Sequence, residues 1–262
     1  MHRVPSRPVL LAPSARTTGP TGDDDLHTGA SMNSAALDRL VAERLAAVRE
    51  RIARAGGADV SVLAVTKLFS IEHCWSAHRA GCAAVGENYA QEVVAKFASQ
   101  LDGDGGAVPL PFEVHFIGQL QTNKVRQLAS LIDVYESVDR LSLVSELSKR
   151  APGAAVLIQA ACLHEPGKGG CPIEAVPALV DAARAAGLDV RGLMTVGPTT
   201  GGAEAARAGF RVVRALVDAL ELDICSMGMT DDLEVAVQEG STQVRIGSAL
   251  FGERPVSAAS VR

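Results

Sequence analysis

Aromatic side chains are scarce in this sequence, with one Trp, two Tyr and six Phe in 262 residues. No cluster of Lys and Arg interleaves with those few rings, and the formal net charge is −5, so the footprint of a nucleic-acid binder is missing. Long hydrophobic runs are missing too. The longest apolar stretch, around 154–163, contains Gln159 and is too short to span a bilayer. The N-terminal "VLLAP" (9–13) is shorter than a signal-peptide core and runs into Pro-, Thr- and Asp-rich sequence. An untargeted, cytoplasmic protein with no nucleic-acid or membrane partner is expected. Cysteines 74, 82, 162, 171 and 225 make an odd number without a CxxC pair, which argues against a disulfide framework and a zinc cluster. Cys162 and His164 stand two apart, but no second ligand pair exists, so no metal is expected.

What is present is a chain that is 47% hydrophobic and long enough for one substantial core. Residues 1–32 mix Pro, Gly, Thr and three consecutive Asp without apolar periodicity, which reads as a disordered leader before a domain at 33–262; Met32 is a candidate natural start. From Asn33 the pattern is helical, with Leu37, Leu40, Val41, Leu45, Val48 and Ile52 on one face and a stop at Gly56 and Gly57. Eight β-type runs follow: "VSVLAVTK" (60–67), "CAAVGEN" (82–88), "EVHFIG" (113–118), "DVYESVD" (133–139), "AAVLIQA" (154–160), "VRGLMTVG" (190–197), "DICSMGM" (223–229) and "QVRIGSAL" (243–250). Helical patterns at 71–81, 89–100, 121–131, 140–149, 173–187, 203–221 and 230–239 separate them. Apolar runs without strict alternation suit strands covered on both faces, and crossover-length connections suit parallel pairing. The expectation is an α/β fold, a single (β/α)₈ barrel, with an open doubly wound sheet as the alternative.

In such a barrel the C-terminal strand ends form the functional face, so Lys67, closing the first run, points into the mouth; the plain alternative is a lysine where the chain meets water. The loops after strands 7 and 8 commonly hold phosphate, and here Ser226 and Ser248 offer hydroxyls while Gly228 and Gly247 let backbone N–H groups approach an anion. Thr230 or Asp231 can cap the following helix. Arg245 lies two residues before Gly247 and shares its face; if inward, it needs a partner such as Glu87. A lysine able to form a Schiff base, a phosphate cup and an arginine near a ring nitrogen together describe a pyridoxal phosphate site. The Lys67 amine is expected near neutral, held there by the arginine and partial burial.

These residues carry a family resemblance. "VLAVTK", "VGENYAQE" (85–92), "HFIGQLQTNK" (115–124), "SVDR" (137–140), "GKGGCP" (167–172), "RGLMTVGP" (191–198) and the long segment 226–252 occur in the order seen in the pyridoxal phosphate homeostasis protein family, over roughly residues 33–253. The resemblance implies a barrel like the N-terminal domain of alanine racemase, with pyridoxal phosphate held as a Schiff base on Lys67. It also implies Asn88 flanking the cofactor, Ser226, Gly247 and Ser248 on the phosphate, Arg245 facing the pyridine nitrogen, and His115 and Met227 in the pocket wall. Its implied role is vitamin B6 and amino-acid homeostasis without a committed reaction. The expected partners are the cofactor and apo forms of enzymes that use it, and the chain is expected to be a monomer or weak homodimer.

An arginine beside the pyridine nitrogen makes the ring a weak electron sink, and a racemase also needs acid–base groups on both substrate faces. In fold-related racemases one is a tyrosine from a second domain, for which no room is expected before Arg262. The alternatives are a weak amino-acid racemase and a lyase that uses Lys67 on a sugar phosphate. "EPGKGG" (165–170) lacks the glycine and hydroxyl of a nucleotide loop, "GDGG" (103–106) reads as a turn, and "QTNK" (121–124) opens a helix without an assigned role.

Overall fold

The structure is a computed structural model describing residues 28–100, 109–162, 165 and 167–253. Residues 1–27 of the expected leader, "GDGG" and His164 lie outside the described residues. Helix α1 spans Thr28–Arg54 and so begins ahead of the expected Asn33. Val41, Leu45, Val48 and Ile52, at steps of four, three and four, are at most 3% exposed and pack on Ala64, Val244, Ile246 and Phe251. Leu40 does not join them: it is 41% exposed, because one residue of helix is a 100° turn away from Val41. Gly56, at φ 97, ends the helical path where the sequence places a stop.

Eight parallel strands follow: β1 (Ser61–Val65), β2 (Ala84–Glu87), β3 (Glu113–Phe116), β4 (Val134–Val138), β5 (Ala155–Ala161), β6 (Asp189–Met194), β7 (Ile224–Ser226) and β8 (Gln243–Ile246). Each pairs with the next, and β8 returns to β1 with Leu63 opposite Arg245. That closure makes a (β/α)₈ barrel and rules out the open doubly wound sheet, which would leave two edges. A two-residue strand at Cys171–Pro172 adds to the end of β5.

Outside the barrel lie α2 (Ile71–Ala80), α3 (Ala90–Phe97), α4 (Val125–Leu128), α5 (Leu141–Arg150), α6 (Val176–Ala185), α7 (Arg207–Ala219), α8 (Leu233–Gln238) and α9 (Ser248–Phe251). The expected helix at 121–131 shrinks to a tight turn at Thr122–Lys124 and the single turn of α4. Helix α8 starts later than expected, with Asp232 at its N-cap; the Asp232 carboxylate accepts the Met229 N–H at 2.6 Å. Neither Thr230 nor Asp231 occupies the capping position.

Period-two alternation divides the strand residues between two cores. Val85, Val114, Phe116, Tyr135, Val156, Ile158 and Leu193 face the helices, against Leu143, Leu147, Val180, Phe210 and Val213. Val134, Ala155, Leu157 and Met194 form a separate cluster inside the barrel. Further inward positions carry the polar side chains of His115, Glu136, Ser226, Gln243 and Arg245, which bond to one another beneath the mouth. No helix among the described residues is long and apolar enough to cross a membrane.

Leu157→Ala, which opens a cavity inside the barrel, is expected to lower unfolding free energy by about 2–5 kcal/mol. Leu40→Ala on exposed α1 should change it by no more than about 0.5 kcal/mol. Urea unfolding midpoints of the two variants check the assignment of interior and exterior.

Candidate functional site

Lys67 lies two residues beyond the end of β1, in phase with Leu63 and Val65 on the barrel-facing side, and is half-buried. The strand breaks sharply there. Leu68 adopts φ 66, a left-handed conformation unusual for a non-glycine residue, and the Phe69 N–H turns back to the Thr66 carbonyl at 3.0 Å. At the end of β2, the Asn88 Oδ1 is buried and has no hydrogen-bond partner among the described residues. A Cβ at Gly118 would sit 2.1 Å from the Asn88 carbonyl oxygen, so the glycine of "HFIG" lets the loops after β2 and β3 pass at contact.

The loops after β7 and β8 meet at the same end. Gly228 has φ 95, and a Cβ there would lie 2.5 Å from the Ala236 methyl, so this turn requires glycine. Its carbonyl accepts the Arg245 N–H at 2.9 Å. The hydroxyls of Thr230 and Ser248 are 3.3 Å apart, joining the two loops. Gly247 runs so close to β1 that a Cβ would be 3.3 Å from the Val65 carbonyl oxygen. Lys67, Asn88, Gly228, Gly247 and Ser248 are thus brought to one end of the barrel.

Below them lies a buried polar chain. Arg245, 4% exposed, donates to the Ser226 carbonyl at 2.8 Å, the Ser226 hydroxyl at 2.9 Å and the Thr195 carbonyl at 2.6 Å. The Ser226 hydroxyl donates in turn to Glu136 at 2.8 Å. Gln243 bridges Glu136 at 2.7 Å and Ser226 at 3.1 Å. His115 Nδ1 bonds Glu136 at 2.6 Å, and its Nε2 lies 3.2 Å from Glu113 at the barrel's N-terminal rim. Burial alone would lower the His115 pKa, but the two flanking carboxylates outweigh it and raise it to about 9. Burial pushes Glu136 up, yet His115, Arg245 and the Ser226 hydroxyl hold its carboxyl below the usual value. Burial lowers the Arg245 pKa against the pull of Glu136.

Several expectations change. Ser226 is fully buried with its hydroxyl committed to Glu136, so it supports Arg245 from beneath and does not face an anion in the cup. Met227 points the other way, its sulfur accepting from Cys225 at 3.6 Å within the core beneath the helices, so it is no pocket wall. His115 sits in the barrel interior between two carboxylates. The inward acid that offsets Arg245 is Glu136 through Ser226, whereas Glu87 pairs with Lys96 at 2.7 Å. The "SVDR" and "GKGG" motifs tie loops together: Arg140 reaches the Leu120 carbonyl at 2.7 Å, and Lys168 the Gly197 carbonyl at 2.7 Å. Glu136, Gln243 and Thr195 were not singled out from sequence. The available signal was the one carboxylate inside the strand "VYESV" (134–138), in phase with the inward Val134.

The His115 shift has a pH consequence. A folded-state pKa above 6.5 gives stability that is complete below pH 6.5 and is lost as pH rises through about 9. Denaturant titrations should show that decline in the wild-type protein and a flatter profile in His115→Gln; equal slopes would show that the ring is uncharged.

The model of the alanine racemase N-terminal domain family matches residues 40–255. The pyridoxal phosphate homeostasis protein of Pseudomonas aeruginosa is 41% identical over 231 residues, covering 83% of this chain and 97% of that protein. That of Aquifex aeolicus is 37% identical, covering 81% and 97%. The solved structure of PipY from Synechococcus elongatus with PLP bound is 30% identical at a TM-score of 0.67, covering 81% of this chain and 100% of its own. The chain therefore belongs to the pyridoxal phosphate homeostasis protein family, built on the alanine racemase N-terminal domain barrel.

Proposed function

We propose that this protein binds pyridoxal phosphate at the barrel mouth, with Lys67 as covalent anchor, and acts in holding and balancing the cofactor. The observation that carries the reading is the convergence of Lys67, the glycine-lined loops after β7 and β8, and the buried Arg245 at one barrel end. The residues fit the group. The Asn88 Oδ1 is buried without a partner among the described residues, leaving it available to a ligand donor. Arg245 makes no direct ion pair among the described residues, so its charge remains available to a ring nitrogen. Ser248 and Thr230 set hydroxyls 3.3 Å apart where a phosphate would rest, with Gly228 and Gly247 giving it room.

When bound, the cofactor supplies an electrophilic aldehyde and an electron-accepting ring. Arg245 can donate a hydrogen bond to the ring nitrogen, but its high proton affinity keeps its own proton, so that nitrogen stays unprotonated. Ser226 and Thr195 hold the guanidinium in place. The acid–base groups nearby favour storage over turnover. His115 is locked between Glu113 and Glu136, Tyr135 is fully buried under the helices, and Tyr89 stands 48% exposed at the rim. None is held to move a proton across both faces of a substrate.

Borohydride treatment of the loaded protein, followed by peptide mapping, should place the trapped adduct on Lys67 and abolish it in Lys67→Ala. Adducts scattered over surface lysines would overturn the reading. Ser248→Ala should weaken binding by roughly two- to tenfold, the value of one hydrogen bond of about 1 kcal/mol; equilibrium titration reads it.

A further inference from the structure

Two side chains of α3 grip the backbone on either side of Lys67. Lys96 Nζ donates to the Thr66 carbonyl at 2.8 Å, and the Glu92 carboxylate accepts the Leu68 N–H at 2.7 Å. Residues 92 and 96 are one helical turn apart, so a single face of α3 holds the residue before the lysine and the residue after it. Lys96 also donates to Glu87 Oε1 at 2.7 Å, and the Thr66 hydroxyl reaches that same oxygen at 2.6 Å. The Lys96 and Glu87 side chains are 9% and 0% exposed, and Glu87 Oε2 has no partner among the described residues.

This arrangement is costly for a loop that only needs to turn. A buried ion pair loses hydration on both members, and a left-handed non-glycine residue costs about 1–2 kcal/mol. Such conformations persist only where the surroundings over-determine them. Here the over-determination is centred on one residue. The Leu68 conformation reverses the chain directly after Lys67, and Glu92 holds it there. The Thr66 carbonyl fixes the peptide plane directly before Lys67, and Lys96 holds it there.

We propose that Glu92 and Lys96 are positioning residues for Lys67: together they set the direction in which the lysine leaves the backbone and so aim its amine at an aldehyde seated in the cup. This rests on the reading of Lys67 as the covalent anchor. Condensation joins Nζ to the aldehyde carbon and expels the carbonyl oxygen as water, so its rate depends on that aim. Seating of the ring and phosphate on Arg245 and Ser248 does not.

The two are separable with pyridoxine 5′-phosphate, which carries the same ring and phosphate but an alcohol in place of the aldehyde. In Glu92→Ala, stopped-flow absorbance should show condensation of pyridoxal phosphate slowed about tenfold or more, while the affinity for the alcohol analogue stays within about threefold of wild type. Glu92→Gln, which keeps an oxygen to accept the Leu68 N–H, should recover most of the rate. Lys96→Met should repeat the slowing if it folds; Glu92, at the surface end of the grip, carries the test if it does not. Condensation at the wild-type rate in Glu92→Ala overturns the proposal, as does an equal loss of rate and analogue affinity, which would mean general loosening. If wild-type protein traps no adduct on Lys67, the anchor reading fails and this proposal falls with it. A normal wild-type adduct with unaffected variants fails the proposal alone.

Discussion

A guanidinium buried inside a β-barrel must be hydrogen-bonded and offset by negative charge, and a chain of polar side chains through the interior meets that requirement for Arg245. Its partners form a ladder along the barrel: Arg245, Ser226, Glu136, His115 and Glu113, with cation and carboxylate alternating and a hydroxyl at the first joint. The ladder runs from beneath the mouth to the opposite rim, where the Glu113 side chain is 55% exposed. Every member has a role that depends on its neighbours. His115, together with Arg245 and the Ser226 hydroxyl, offsets the burial that would otherwise raise the Glu136 pKa.

Register carries this ladder to the site. In the β1–β8 pairing Leu63 lies opposite Arg245, so Lys67 is four residues further along one strand and Gly247 two along the other. The closeness of Gly247 to Val65 then seats the cup loop against the lysine's own strand. A slip of one residue would send Arg245 out into the helical layer, where Val244 and Ile246 pack on the apolar face of α1. Barrel closure, the polar ladder and the mouth are thus one construction. The loops above the interior are tied by Arg140, Lys168 and the Thr230–Ser248 contact.

The fold was legible because each strand and helix announces itself by local period, and eight repeats of one unit leave few ways to close. That Lys67, Asn88, Gly228, Gly247 and Ser248 gather at one end of the barrel was legible because they fall at strand ends. The ladder was not. Sequence puts Glu136 and His115 on inward-facing phases, but which of several inward groups bond is decided by strand stagger, which no local pattern encodes. The same gap explains Ser226. At the end of a strand a serine reads as an anion ligand, yet here it falls one layer too deep and its hydroxyl serves Glu136. Met227, its neighbour, necessarily points to the other face. Glu87, the inward acid expected opposite the arginine, instead faces α3 and pairs with Lys96.

If, as proposed, Arg245 lies against the cofactor ring, this ladder keeps its guanidinium charged and leaves the ring nitrogen without a proton. Nitrogen-15 NMR of the protein loaded with ring-labelled pyridoxal phosphate reads that proton directly. The expected result is a resonance in the unprotonated pyridine range at neutral pH. A pyridinium resonance at neutral pH would contradict it and place an acid, not Arg245, beside the ring.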